Sequence, residues 1–395
     1  MIDNKELEHY VELFTIKINN SSLKTKILLQ CNQSNYTLDK IINYLNFLLH
    51  EIIIMNFSIN DIELFLSDSH NFGLSVTKVI VAENKVFYIK PKNSHSSLYL
   101  NYIIKAFFSN NFMLDSNIIK ADINLTIEED IPFNKPLPAK KFSIACGRLL
   151  ALLFFIDGRD MHLNNFTINS FGFPQIIDSE TIFHNDSPKD FFSNIIDYYR
   201  ESIFAQTPLV LGMLPHGHTY KGITYEESGI KGLFMKISTK YKNYDYKKNI
   251  SNIILGFTLG FNEILAKKYF LLSTLPLFPA RHIFRPTKFY AKLIKNIMLL
   301  ETQGKKRELL YNELGFFLNN NSHYRWIIER EVEDLLNYDI PIFTTYPTSS
   351  AIYRRNDKVE VFFKESSYIR MKVMLLTNTS SDISKYTKAI KWSSI

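Results

Sequence analysis

Polar residues with the potential for phosphoryl transfer occur along the chain in a fixed order. They are Lys90, then Asp160, His162 and Asn165 in one short segment, and then Asp178 and Glu180. In kinases a lysine of the sheet holds the nucleotide phosphates, and an aspartate of the catalytic loop orients or deprotonates the attacking hydroxyl. An asparagine and a later aspartate hold Mg²⁺. The order therefore predicts a site for ATP and Mg²⁺.

The spacing explains how such a site can form. Asp160 and Asn165 lie on one loop, so both can face the same cavity, and a short hairpin after them can return the chain so that Asp178 meets them. Asp178 and Glu180 are two residues apart and share a face if the strand continues. Carboxylate and amide oxygens are hard ligands that suit Mg²⁺ better than zinc. Asn165, Asp178 and Glu180 are therefore the predicted metal ligands.

The elements that must position these residues can be read from hydrophobic periodicity. Residues 1–66 are predicted to be helical, and two β-branched runs, 76–82 and 86–89, predict an antiparallel hairpin that ends at Lys90. A helix is predicted over 98–108, a loose segment rich in acid and proline over 127–138, and a helix buried on every side over 142–157. A second short hairpin is predicted over 166–168 and 175–177, and the mostly helical remainder is predicted to end in a strand over 359–363 and a polar tail.

Composition excludes several classes of protein. The chain has 395 residues, of which 46% are hydrophobic and 22% charged, so it is globular and large enough for two or three lobes. Its two cysteines, Cys31 and Cys146, exclude a disulfide scaffold and a multi-cysteine zinc site. The net charge of +7 is spread along the chain and favours an acidic partner over nucleic acid. We find no secretion signal and no apolar run long enough for a bilayer, so a cytoplasmic protein without a transmembrane segment is expected.

One further segment, over 241–248, alternates aromatic and lysine residues. Tyr241 to Lys248 reads Tyr-Lys-Asn-Tyr-Asp-Tyr-Lys-Lys, a pattern that single-strand nucleic-acid binders also use. The chain has no recognisable nucleic-acid-binding module, so a solvated helix or loop surface is the favoured interpretation. Contact with an acidic leader peptide is the alternative.

Asp160–Asn165 and Gly172–Phe183 resemble the signature of the dehydratase domain of class II lanthipeptide synthetases (LanM type). Other segments match the family in order: 68–73, 88–92, 211–215, 227–230, 281–290 and 339–343. The resemblance covers about 68–350. Lys92 stands where the family has arginine, and the family's carboxy-terminal cyclase is not seen, so a free-standing dehydratase is expected. No glutamate lies between Lys90 and Glu128, so the lysine–glutamate pair of protein kinases has no obvious counterpart.

The resemblance implies a function in two half-reactions. The family phosphorylates Ser or Thr of a ribosomal precursor peptide, made of a leader and a core, with Mg-ATP, and then eliminates the phosphate to leave dehydroalanine or dehydrobutyrine. By resemblance, the phosphorylation residues are Lys90, Asp160, His162, Asn165, Asp178 and Glu180, and Arg281 and Thr287 match positions used in elimination. An arginine fork suits a departing phosphate dianion. A separate cyclase or other tailoring enzyme is a further expected partner.

We therefore expect an α/β (α+β) fold with a kinase-like two-lobed core, resembling lipid kinases, and helical additions at both ends. The expected division is a helical segment over 1–66, an N-lobe over 67–125, a C-lobe with the catalytic and metal-binding loops over 126–200, and a helical region over 201–395 that contributes the elimination residues. Two alternatives remain open: a peptide or small-molecule kinase without elimination, and a catalytically silent module that recruits peptide.

Overall fold

The computed structural model describes residues 4–34, 36–67, 73–108, 112–115, 117–122, 125–185, 207–215, 218–220, 223–225, 228–316 and 321–394. Residues 68–72 of the motif over 68–73, and Glu227, lie outside these ranges. The helices are α1 Asn4–Lys17, α2 Lys24–Gln33, α3 Leu38–Met55, α4 His95–Phe108, α5 Ala139–Phe155, α6 Gly229–Ser238, α7 Tyr246–Ala266, α8 Lys268–Ser273, α9 Thr287–Met298, α10 Gln303–Leu314, α11 Ser322–Leu336, α12 Ser367–Thr377 and α13 Ile383–Trp392.

The strands are short, and most pair with a sequence neighbour. They are β1 Ile59–Glu63, β2 Thr77–Val81, β3 Val86–Lys90, β4 Ile118–Asp122, β5 Leu125–Glu129, β6 Phe166–Ile168, β7 Pro174–Ile176, β8 His218–Tyr220, β9 Ile223–Tyr225, β10 Ala280–His282, β11 Phe343–Thr345, β12 Ile352–Arg354 and β13 Asp357–Val359. Mixed helices and strands confirm the α+β class. Among the described residues, no helix is both long enough and apolar enough to cross a bilayer.

The chain forms two compact units, each assembled from separate stretches. The first contains residues 1–94, 117–130 and 285–342, and the second contains residues 95–116, 131–284 and 343–395. The contiguous four-part division expected from the sequence stays a prediction.

An antiparallel sheet of five strands organises the first unit, in the order β1-β2-β3-β5-β4. The hairpin β2–β3 confirms the predicted one. Burial alternates along β3, so Phe87 and Ile89 enter a core shared with α1, α2 and α3, whereas Tyr88 and Lys90 lie on the other face of the strand. The sheet thus presents Lys90 away from the apolar core.

Three strands of this sheet, β1, β4 and β5, were not predicted from the sequence, and the stretch that contains β4 has no predicted element. β1 lies inside the stretch predicted to be helical, and β5 lies at the start of the segment predicted to be loose. β5 lies between β3 and β4 in the sheet. Its Thr126 is opposite Lys90 of β3, and its Glu128 is opposite Tyr88. Its sequence, Leu-Thr-Ile-Glu-Glu, carries two acids, but pairing between two strands offsets their low strand preference.

The second unit is built on the crossing of α5 and α7. α5 confirms the predicted buried helix, since its side chains from Leu149 to Phe155 are all buried. Glycines permit a close approach of the two backbones: a Cβ on Gly256 would lie 2.1 Å from the Ile144 carbonyl oxygen, and one on Gly147 would lie 2.1 Å from the Ile253 carbonyl oxygen. The crossing therefore depends on the absence of side chains at these positions.

Replacing Gly256 with alanine is expected to destabilise the protein by about 1–3 kcal/mol or more, because the added methyl group must push apart two packed helices. Chemical denaturation followed by circular dichroism measures the change. Gly304→Ala is the matched control, since nothing lies within 4 Å of a Cβ at that position. Equal stability of the two variants would contradict the close packing of α5 against α7.

Candidate functional site

The loop after α5 is held by backbone contacts within the second unit. The Met161 amide donates to the Leu211 carbonyl at 3.0 Å, and the Arg159 amide donates to the Thr181 carbonyl at 3.1 Å. Gly229 lies so close that a Cβ there would be 2.5 Å from the Met161 carbonyl oxygen. These contacts fix the path of the chain on both sides of Asp160.

Asp160 itself adopts a left-handed backbone conformation, with φ of +57°. Such a conformation costs free energy for a non-glycine residue and persists only where neighbours enforce it. The Asn165 side chain donates through Nδ2 to the Asp160 carbonyl at 2.7 Å, and the His162 amide donates to the same oxygen at 2.9 Å. Asn165 and Asp160 are thus joined in one loop, as their spacing predicts.

The hairpin β6–β7 returns the chain to this loop. Phe166 pairs with Ile176, and the Ile177 amide donates to the Asn165 carbonyl at 2.9 Å. Asp178 follows directly, and its Oδ1 accepts the Glu180 amide at 3.3 Å. The strand has ended before Asp178, so a turn and not a continued strand relates Asp178 to Glu180.

Glu180 is paired with Arg281, a contact that the sequence did not suggest. The guanidinium Nη1 lies 2.6 Å from Glu180 Oε1, and the Arg281 amide donates to the Glu180 carbonyl at 2.7 Å. Arg281 lies on β10, which pairs with β11 in a sheet of four strands. A residue matched to phosphorylation and a residue matched to elimination are therefore in direct contact.

The charges of this cluster are strongly coupled. Burial raises the pKa of Asp160 to about 6; His162 and Arg281 oppose the shift, while Asp178 and Glu180 add to it. The Asp160 side chain has 39% of its surface accessible, so the carboxyl is surrounded by protein but remains in contact with solvent. His162 Nε2 lies 3.8 Å from Asp160 Oδ1.

Arg281 responds to the same neighbours. Burial by itself lowers the pKa of Arg281, but the Glu180 carboxylate, with smaller contributions from Asp160 and Asp178, raises it above its ordinary value. The guanidinium is therefore always charged, and it offsets part of the negative charge that three carboxylates bring to one place.

A layer of buried charges and rings lies behind the cluster and was also missed by the sequence analysis. Asp157, near the end of α5, accepts ion pairs from Arg159 and Arg370. His184 stacks on His282, with ring centroids 4.3 Å apart. Burial lowers the pKa of His184 well below its usual range, and His282, Arg159 and Arg370 lower it further. A neutral His184 thus packs against the residue that follows Arg281.

In the first unit, Lys90 is paired with Glu128. Lys90 Nζ lies 2.6 Å from Glu128 Oε2, and the two side chains are 13% and 7% exposed. Glu128 lies opposite Tyr88 in the sheet, so it is the diagonal neighbour of Lys90 on the same face, within reach of a long side chain. The sequence showed no glutamate that could pair with Lys90 as in protein kinases, and in the structure a strand, β5, supplies one. A strand prediction over 125–129 would have revealed it.

Thr287 also lies in the first unit, as the first residue of α9, and is half-buried. Two residues before it, the Arg285 guanidinium is ion-paired with Glu331 inside the unit. The Tyr290 hydroxyl donates to the same Glu331 carboxylate at 2.6 Å. The second unit thus brings together six of the predicted site residues, Asp160, His162, Asn165, Asp178, Glu180 and Arg281, and the first unit carries Lys90 and Thr287.

The donor set can be compared with what Mg²⁺ requires. Asn165 donates through Nδ2 to the loop, which leaves its Oδ1 as the acceptor atom for a ligand, and Asp178 supplies a carboxylate nearby. Within the described residues, no three His, Cys, Asp or Glu side chains are grouped for a metal. Mg²⁺ in phosphoryl-transfer sites commonly has one or two protein ligands, with phosphate and water oxygens completing its shell. Asn165 and Asp178 fit this requirement.

Comparison with known proteins gives a family for the chain. No curated protein is significantly similar to it. Residues 50–249 and 236–346 match the family described as "Domain of unknown function (DUF4135)". These matches together cover well over half of the chain and include every residue of the candidate site, and the chain therefore belongs to the DUF4135 family.

Proposed function

We propose that the protein dehydrates Ser and Thr residues of a ribosomally made peptide, by ATP-dependent phosphorylation followed by elimination of the phosphate. The motifs that resemble LanM-type dehydratases support the reaction. The carrying observation is the contact of Arg281 with Glu180 at 2.6 Å, because it joins a residue matched to elimination with a residue matched to phosphorylation.

For phosphorylation, Asp160 accepts the proton of the attacking hydroxyl. A pKa of about 6 leaves this carboxylate ionised at neutral pH, yet more basic than an ordinary aspartate, which suits a general base. Asn165 and Asp178 would hold Mg²⁺, which would neutralise phosphate charge as the γ-phosphoryl group of ATP passes to the hydroxyl oxygen and ADP is released. Lys90, fixed by Glu128, binds phosphate oxygens. Its position on the third strand of an antiparallel sheet supports the assignment.

For elimination, a base takes up the α-proton of the phosphorylated residue, the electron pair of the Cα–H bond forms the Cα–Cβ double bond, and the Cβ–O bond breaks to release the phosphate dianion. Arg281 stabilises this leaving group through two parallel N–H donors. Glu180 holds the guanidinium in place. Thr287, matched to elimination by resemblance, supplies a hydroxyl at the start of α9.

Mass spectrometry of a peptide incubated with the protein and Mg-ATP tests the proposal. The peptide encoded beside the gene is the substrate of choice, and omission of ATP is the control. Loss of one water per modified residue is expected. Gain of phosphate without loss of water would make the protein a kinase only, and an unchanged mass would make it a silent peptide-recruiting module; either result overturns the proposal.

A further inference from the structure

A groove in the second unit lies apart from the candidate site residues. It encloses about 690 Å³ and is formed by α6, the segment that leads into α7, and the end of α13. A volume of this size accommodates several side chains of a bound peptide. We name it the lysine groove after Lys231, Lys242 and Lys247, which line it.

The charge of the lysine groove is predominantly positive. Its three lysines face one acid, Asp245, and the Asp245 carboxylate accepts the Lys248 amide at 2.9 Å as the cap of α7. Lys242 and Lys247 are exposed at the rim. The groove therefore favours an acidic occupant.

Apolar surface lies between these charges. Met235 on α6 is 61% exposed and Trp392 at the end of α13 is 48% exposed, and both line the groove. Large apolar side chains at the surface, surrounded by charge, are typical of protein-interaction sites. An extended peptide that alternates acidic and aliphatic side chains matches this combination, since each kind of side chain would meet its complement.

Nucleic acid fits this surface less well than peptide does. Binders of single strands stack bases on exposed aromatic faces. In the lysine groove, Phe234, Tyr244 and Tyr246 are buried, and the Tyr246 hydroxyl is hydrogen-bonded to Ser393 Oγ at 2.7 Å. These three rings support the floor of the groove and offer no open stacking surface. Among the described residues that line the groove, Trp392 is the one exposed aromatic side chain, and a strand that stacks successive bases would need several.

The groove also adjoins the element that supports the catalytic loop. The side of α6 that carries Gly229 and Gly232 packs on this loop, where a Cβ on Gly232 would lie 2.9 Å from Leu163 Cβ. Other residues of α6 line the groove. A peptide bound there would lie directly behind the helix on which the Asp160 loop rests.

We infer that the lysine groove binds an acidic, partly aliphatic peptide segment. That this segment belongs to the substrate peptide rests on the proposed function; the binding itself does not.

Fluorescence anisotropy of a labelled synthetic peptide of alternating Glu and Leu, titrated with the full chain, tests the inference. The double variant Lys242→Glu/Lys247→Glu is expected to weaken binding at least about tenfold, and added salt should weaken binding to the wild-type chain. Lys364→Glu/Lys372→Glu is the matched control: both residues are exposed in the same unit, outside the groove, and the net charge changes equally. This control should bind as the wild type does.

Three results would overturn the inference: equal weakening in the control variant, equal binding of a peptide with Gln in place of Glu, or stronger binding of single-stranded DNA than of the acidic peptide. Circular dichroism verifies that each variant folds. Binding is measured without ATP and repeated with Asp178→Asn, so it is independent of catalysis. Dehydration without binding of the acidic peptide would contradict only the inference about the lysine groove. Binding without dehydration would contradict only the proposed function.

Discussion

Arg281→Ala is expected to stop the reaction after its first half, so that phosphorylated peptide accumulates. Without the guanidinium, the departing phosphate loses its bidentate donor, and removal of one such charge-stabilising group commonly slows a step on the order of a hundredfold or more. Asp178→Ala is expected to leave the peptide unmodified, because the carboxylate that holds Mg²⁺ is gone. Mass spectrometry of timed samples distinguishes the two products.

The controls for Arg281 address its contact with Glu180. Arg281→Lys retains a positive charge beside Glu180 but loses the planar fork, so it should eliminate phosphate more slowly than the wild type and faster than the alanine variant. Thermal unfolding shows whether either variant is merely unstable. Wild-type dehydration by a folded Arg281→Ala protein would contradict the assignment of elimination to this residue.

Glu128→Gln is expected to slow phosphorylation by about tenfold to a hundredfold. The substitution keeps the shape of the side chain but removes the charge that lies 2.6 Å from Lys90 Nζ, so the nearly buried lysine loses this ion pair and is held less firmly in position. Because Glu128 acts on substrate only through Lys90, it is a positioning residue. Steady-state phosphorylation at varied ATP concentration measures both kcat and KM for ATP.

Glu129→Gln is the matched control for this prediction. Glu129 is the next residue of β5, so its side chain lies on the opposite face of the sheet. A general weakening of β5 would affect both variants alike, whereas loss of the Lys90 contact affects Glu128→Gln alone. If the two variants phosphorylate peptide at the same rate, Glu128 has no role in positioning Lys90.

Much of the local structure was predictable from the sequence because its causes are local. The hairpin that ends at Lys90, the buried helix α5 and the short hairpin before Asp178 all follow from the period of apolar residues and from the turn residues between them. The contact of Asn165 with the Asp160 loop follows from their separation of five residues. Such features need no knowledge of distant parts of the chain.

Contacts between distant segments required the tertiary structure. Glu128 reaches Lys90 across 38 positions, and Glu180 reaches Arg281 across 101. The strand β5 ends in two glutamates, which have low strand preference, and it is paired on both sides, by β3 and by β4. Periodicity reports which face of an element is buried, but it does not report which element covers that face.

The amino-acid sequence alone establishes the types and order of the reactive residues, the likeness to dehydratase motifs, and the hairpins and buried helix around Lys90, Asp160 and Asp178, but not the strand that carries Arg281. The packed structure was needed to show that a strand supplies a glutamate to Lys90, that Arg281 lies against Glu180 and that three lysines and two exposed apolar residues line one groove. Local hydrogen bonding and side-chain period act over a few residues, whereas ion pairs and grooves depend on the distances between packed elements.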